Sequence, residues 1–190
     1  MYRAIIFDFF GVIQADPYQR WLNKHNLKRE GEFAEASDMA DKNLITWQEF
    51  FNKLNELSGE PVESIREAFY EDKTIDEELI KFIKTLKNNY KISLLSNSSS
   101  DYLRPILAGH GILDLFDIDI VSSEVGVIKP DPEIFELALG KLGTAPEETI
   151  FIDDRSYNTE AAARLGIKSI LYRDLVSLKE ELRASGITFR

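Results

Sequence analysis

Apolar residues along this chain follow two periodicities. Short continuous runs bounded by polar or turn residues occur at Ala4-Ile5-Ile6-Phe7, Ile92-Ser93-Leu94-Leu95, Ile118-Asp119-Ile120-Val121, Thr149-Ile150-Phe151-Ile152 and Lys168-Ser169-Ile170-Leu171-Tyr172. Each has the length and residue types of a buried strand. Elsewhere the apolar positions recur at three- and four-residue steps, as on a helix face. Between the first and second strands these include Tyr18, Trp21, Leu22, Phe33, Trp47, Phe50, Phe51, Leu54 and Leu57. Thr46-Trp47-Gln48-Glu49 has capping-box spacing and predicts a helix running to Ser58-Gly59. Pro61 opens a further helix through Phe69, and Asp76 one through Leu86. Later helices are predicted from Asp101 to about Leu107, Pro132 to Leu142, Asn158 to Leu165, and near Ser177 to Arg183.

Strands alternating with helices predict an α/β fold: a Rossmann-like parallel sheet of about five strands with helices on both faces. The stretch after the first strand carries no strand signal until Lys91, so an all-α subdomain is inserted there. The expected division is 1–14 and 76–190 for the Rossmann-like core and 15–75 for the helical insertion.

Ligands of open α/β sheets bind beyond the carboxyl ends of the strands, so the residues there carry the functional information. The first strand ends in Asp8 and the second in Ser96-Asn97-Ser98. Lys129-Pro130-Asp131-Pro132 follows the third, and the fourth ends in Asp153-Asp154. Taken singly, each has an ordinary structural use: a turn, an N-cap or a solvated surface charge. Together they suit phosphoryl transfer. A carboxylate such as Asp8 attacks phosphorus and splits one hard displacement into two. Charge on the transferring group is balanced by Lys129, a Ser96 hydroxyl and Mg²⁺ held by Asp8, Asp154 and Asp153.

Composition narrows the partners. The chain has 190 residues, 23 basic and 33 acidic, for a formal charge of −10. That balance disfavours nucleic-acid and anionic-membrane surfaces. The absence of cysteine removes disulfides, thiol catalysis and cysteine zinc sites. His25 and His110 lie in different segments and are expected to be ordinary surface or hydrogen-bonded residues. With no signal-peptide layout and no long apolar run, the expectation is a cytoplasmic protein, monomeric or a weak homodimer, acting on a small phosphorylated metabolite.

The strand-end residues resemble the motifs of the haloacid dehalogenase-like hydrolase superfamily over essentially the whole chain. Phe7-Asp8 with Gly11-Val12-Ile13 is similar to the nucleophile motif, Leu94-Leu95-Ser96-Asn97 to the second, and Gly126-Val127-Ile128-Lys129-Pro130-Asp131-Pro132 to the third. Phe151-Ile152-Asp153-Asp154, with Asn158, Ala161-Ala162 and Gly166, is similar to the fourth. The resemblance implies a phosphatase-like hydrolase with Asp8, Ser96 and Lys129 catalytic and Ser96, Asn97 and Lys129 binding substrate. Asp8, the Phe10 carbonyl, Asp154 and Asp153 would hold Mg²⁺. Residues 15 to about 75 resemble the family's helical cap. Phe10 departs from the phosphatase pattern, which carries a second Asp there as general acid and base, so weak turnover of ordinary phosphomonoesters is expected. Asp16 or Glu124 remains open as a substitute acid, and Tyr18, Arg20, Trp21 and Lys42 as cap residues reaching substrate. The family's dehalogenases also carry an aromatic residue at this position, which makes a 2-haloacid dehalogenase the first alternative. A phosphate- and Mg²⁺-binding regulatory protein of low activity is the second.

Overall fold

A computed structural model describes residues 1–189. Five parallel strands, β1 (Ala4–Phe7), β2 (Lys91–Ser96), β3 (Ile118–Val121), β4 (Thr149–Asp153) and β5 (Lys168–Leu171), form one sheet in the order β3-β2-β1-β4-β5. The most apolar strands, β1, β2 and β4, occupy the middle three places. The two less buried strands, β3 and β5, form the edges.

Side-chain alternation along the strands explains how both faces are covered. Ile5 and Phe7, Ile92 and Leu94, and Ile150 and Ile152 point into one apolar cluster. That cluster is closed by helices α5 (Glu77–Leu86), α6 (Ser100–Gly109) and α10 (Leu175–Ala184). Ala4 and Ile6, Leu95 and Phe151 point the other way, against α8 (Pro132–Leu142) and α9 (Ser156–Arg164). The α/β class, the five strands and their parallel arrangement follow the apolar runs of the sequence.

The helices differ from the sequence reading at their ends. Asp174 accepts a hydrogen bond from the backbone N–H of Ser177, so α10 begins at Leu175. Two further helices carry too little periodic signal to be read in advance: α2 (Glu32–Asp41) is acidic and alanine-rich, and α7 (Ser122–Val125) is a single turn. In contrast, the Thr46 capping box is present, with the Glu49 carboxylate reaching back to the Thr46 N–H at 2.7 Å.

Helices α1 (Pro17–Lys24), α2, α3 (Trp47–Ser58) and α4 (Val62–Tyr70) lie between β1 and α5. They enclose an apolar cluster of their own, from Tyr18, Trp21 and Leu22 through Phe50, Phe51 and Leu54 to Ile65 and Phe69. The chain leaves and re-enters the sheet region at one place. Gln14 pairs antiparallel with Ile75, and the Asp76 N–H donates to the Ile13 carbonyl. Tyr102 of α6 joins the two regions: its hydroxyl donates to the Phe69 carbonyl at 2.7 Å, and its ring contacts Phe10, Trp47, Phe69 and Tyr70. Among the described residues no helix is long and apolar enough to cross a membrane.

Phe51 is fully buried in the cluster of the helical segment. Phe51→Ala is expected to lower folding stability by about 3–5 kcal/mol, read from the urea midpoint; a change below about 1 kcal/mol would show that this cluster contributes little.

Candidate active site

The strand order reverses between β1 and β4, with the chain winding outward to β2 and β3 on one side and to β5 on the other, and this is where an open α/β sheet leaves a crevice at its carboxyl edge. Asp8 follows β1, its backbone N–H still bonded to the Ile152 carbonyl, while Asp153 ends β4 and Asp154 follows it. One carboxylate oxygen from each of these three residues lies within 4.8 Å of the others.

Lys129 enters this group from the loop before α8. Its Nζ is 2.7 Å from Asp8 Oδ1 and 2.7 Å from Asp153 Oδ2, and the side chain is buried. Asn97 holds the lysine from behind, its amide donating to the Lys129 carbonyl and accepting from the Lys129 N–H, both at 2.8 Å. Asp153 is saturated: Oδ1 accepts from the Arg155 N–H at 2.9 Å, the Asn158 amide bridges both oxygens, and Lys129 occupies Oδ2.

The electrostatics follow from one ammonium serving three carboxylates. Burial works against the Lys129 ammonium, but Asp153 and Asp8 outweigh it and raise its pKa. Burial likewise pushes Asp153 up, yet Lys129 and the hydrogen bonds on its oxygens hold it below the ordinary carboxylate value. Asp8 goes the other way. Burial, reinforced by Asp153 and Asp154, raises it well above the ordinary value despite Lys129. Asp154 is raised by burial and then by Asp153.

Asp8 and Asp154 retain free oxygens. Asp8 Oδ1 accepts from the Phe9 N–H at 2.7 Å, whereas Oδ2 has no hydrogen-bond partner among the described residues. Asp154 Oδ1 is buried without one, an arrangement that costs several kcal/mol, roughly, unless a cation compensates. Gly11 permits this placement. Its φ is +88°, and a Cβ there would lie 2.2 Å from Asp154 Oδ2. The Phe10 carbonyl accepts no backbone hydrogen bond among the described residues and stands on the same turn. Free carboxylate oxygens, a free carbonyl and uncompensated negative charge are the oxygen donor set that suits Mg²⁺.

Ser96 is fully buried, and its Oγ has no hydrogen-bond partner. Asp8, Phe10, Gly11, Asn97, Ser98, Lys129, Asp154 and Arg155 line a cavity of about 1040 Å³ whose opposite wall is built by α1 and α2. Phe10 stacks on Tyr102 with ring centres 5.7 Å apart and packs edge-on against Phe9.

The other sequence candidates separate. Tyr18 and Arg20 line the cavity, with the Tyr18 hydroxyl donating to the Phe33 carbonyl and Arg20 paired with Asp72 at 3.4 Å. Trp21 is core, donating its indole N–H to Glu60, and Lys42 pairs with Asp131 at 3.7 Å; neither lines the cavity. Asp16 lines it but caps α1 and is paired with Arg155 at 2.6 Å. Glu124 is bonded to Arg104 outside it. His25 and His110 also lie outside, against Glu60 and the Lys73 carbonyl respectively. Arg29, Asp41 and Arg155 line the cavity without having been singled out in the sequence. Only Arg155 had an accessible signal, its place directly after the acidic pair.

With the geometry in hand, known proteins place it. Residues 2–166 match the haloacid dehalogenase-like hydrolase family, and the chain belongs to that family. D-ribitol-5-phosphate phosphatase of Bacteroides thetaiotaomicron is 27% identical over 209 residues, 96% of this chain and 97% of the relative. Phosphoserine phosphatase of Thermus thermophilus is 31% identical over 128 residues, 64% of this chain and 51% of that protein. The chain spans about half the length, or less, of several curated relatives that it matches. A solved HAD family enzyme from Bacteroides thetaiotaomicron, in complex with magnesium and inorganic phosphate, superimposes with a TM-score of 0.70. The match covers 94% of this chain and 99% of that one at 23% identity, a likeness of fold.

Removing the shared ammonium leaves Asp8 and Asp153 buried and unpaired. Lys129→Met is therefore expected to lower stability by about 3–5 kcal/mol in metal-free buffer, measured by urea denaturation. Gly11→Ala forces Asp154 aside and should weaken Mg²⁺ binding at least tenfold by calorimetry, an outcome that unchanged affinity would contradict.

Proposed function

We propose that the protein is a Mg²⁺-dependent small-molecule phosphatase that works through an aspartyl-phosphate on Asp8. The observation that carries this reading is the division of labour among the carboxylates. Asp153 is saturated by Lys129, Asn158 and the Arg155 N–H, while Asp8, which lines the cavity, has no hydrogen-bond partner on Oδ2 and Asp154 Oδ1 is buried without one among the described residues. Asp8, Asp154 and the Phe10 carbonyl would hold Mg²⁺, whose charge would neutralise the carboxylates and an incoming phosphate. Asp8 Oδ2 attacks phosphorus, the ester oxygen leaves, and water then hydrolyses the acyl phosphate. Lys129 orients Asp8, favours its ionised form against the effect of burial, and offsets charge on the phosphoryl oxygens. Ser96 Oγ lies behind the cavity lining without an internal partner and is the hydroxyl proposed to donate to the phosphate, while Asn97 acts by fixing Lys129. Two relatives named as phosphatases support the reaction class.

Residues 15–75 are proposed to act as a cap that encloses the substrate, with 1–14 and 76–190 forming the core. The buried acids favour the phosphatase over the dehalogenase reading, because an uncompensated Asp154 has no use where no cation binds. Phe10 has no proton to give. Its ring is held by Tyr102, so the leaving oxygen receives no help from this position, and esters with poor leaving groups should turn over slowly.

With p-nitrophenyl phosphate and Mg²⁺ the wild type is expected to release phosphate, and Asp8→Asn or chelation to abolish release. Metal-independent chloride release from 2-chloropropionate would instead establish the dehalogenase. Phe10→Asp should accelerate an alkyl phosphate by about 10-fold or more, within the range typical of acid–base help, and p-nitrophenyl phosphate by less. Equal effects on both substrates would mean that proton transfer is supplied elsewhere.

A further inference from the structure

The cavity wall opposite the sheet has a chemistry that the hydrolytic reaction does not require. Ala34, Ser37, Asp38 and Asp41 follow one another at the spacing of a single face of α2, and all four line the cavity. The small residues leave space, and the two carboxylates offer acceptors. Asp41 is the buried one, anchored where α2 meets the sheet region: the Ser122 hydroxyl donates to the Asp41 carbonyl at 2.7 Å and accepts from the Ser98 N–H at 2.9 Å.

Its carboxylate is half-used. Asp41 Oδ2 pairs with Arg29 Nη2 at 3.3 Å, while Oδ1 has no hydrogen-bond partner among the described residues. Burial raises the Asp41 pKa to about 6 even with Arg29 alongside, so the carboxylate is under-compensated. Arg29 is itself held by the Ser37 hydroxyl at 3.1 Å and the Tyr18 ring at 5.2 Å, and faces Asp16 at 3.7 Å. Arg155 closes the group, paired with Asp16 at 2.6 Å and donating to the Tyr157 hydroxyl at 2.7 Å. Asp41, Arg29, Asp16 and Arg155 thus alternate in sign along this part of the wall, with Asp38 beside them as a third carboxylate. Of the other charged residues in this part of the lining, Arg20 is paired with Asp72, and Lys28 and Glu30 are both exposed to solvent.

A wall with three carboxylates against two guanidinium groups penalises an anionic ligand group. A carboxylate would face Asp41 and Asp38 across arginines that already have partners, so neither the carboxylates nor the guanidinium groups would gain from it. A hydroxyl satisfies both, donating to Asp41 Oδ1 and accepting from a guanidinium N–H. We propose that Asp41 and Arg29 make this site selective for phosphomonoesters with a neutral, polyhydroxylated tail and against those ending in a carboxylate. The inference rests on the phosphomonoesterase reading for its substrate class and adds the selectivity.

Erythritol 4-phosphate and 4-phosphoerythronate differ at the far end only in a CH₂OH against a COO⁻. The wild type with Mg²⁺ should prefer the first by at least about 10-fold in kcat/KM, a discrimination of the size that an unmatched buried polar group produces. Asp41→Asn removes the repelling charge and should shrink that ratio at least about 5-fold. Should Asp41→Asn fail to fold, Asp38→Asn, on the same face and more exposed, should shrink it about 2-fold. A wild-type ratio near unity, or a ratio unmoved in folded variants, overturns the proposal. Calorimetric binding of the two esters to Asp8→Asn protein with Mg²⁺ reads recognition without turnover. Tenfold tighter binding of the polyol ester there supports the selectivity even if the wild type hydrolyses neither ester, a result that would count against the phosphatase reading alone. Equal binding overturns the selectivity even if both are hydrolysed.

Discussion

The Lys129 ammonium between Asp8 and Asp153 is the contact on which the site's geometry depends. A lysine buried this deeply stays charged only because two carboxylates meet it at hydrogen-bond distance, and they stay ionised only if something answers their charge. Three chain segments are bound by it: the turn after β1, the loop before α8 and the end of β4. Asn97, from the end of β2, adds a fourth by clasping the lysine backbone. The sheet order brings these ends to one crevice, and the ion pairs fix their mutual positions within it.

One ammonium cannot neutralise three carboxylates. The remainder falls on Asp8 and Asp154, whose pKa values burial drives upward, and it is directed at one side of the crevice because Asp153 is already saturated. Excess charge is thus concentrated on the oxygens that a divalent cation and a phosphorus atom would need to reach. Gly11 is the steric counterpart of this arrangement, since any side chain there would occupy the space of the Asp154 carboxylate. Stability and chemistry are coupled here: the uncompensated charge that is costly to bury is also the charge that, in the proposed reaction, a cation would answer.

The helical segment differs in kind. It has its own apolar cluster, joined to the sheet region by Tyr102 and by the paired strands of its entry and exit. Phe10 belongs to that junction as much as to the site. Its ring packs between Phe9 and Tyr102, so the residue that provides no acid also helps to seat the helices over the cavity. The wall that these helices present carries acidic and basic side chains paired with one another, unlike the floor, where one ammonium serves three carboxylates.

Most of the architecture was legible in the residues themselves. Apolar runs of four or five residues specify buried parallel strands because both faces of each strand must be covered, and an acidic or hydroxyl residue at the end of such a run marks the sheet's carboxyl edge. Asp8, Ser96 and Asp153-Asp154 were singled out by that rule, and Lys129, in the loop beyond the third run, only in combination with them. Short-range patterns could not say that Asn97 would spend its amide on Lys129, that Asp153 would be saturated and Asp154 left free, or that Trp21 and Lys42 would turn away from the cavity. Nor could they single out Arg29 and Asp41, which lie in segments of weak periodicity and acquire meaning only against Asp16 and Arg155. Sequence determined which residues stand at the strand ends, because that depends on local burial. Tertiary structure decided how their charges are shared, because that depends on distances of a few ångströms between segments far apart in the chain.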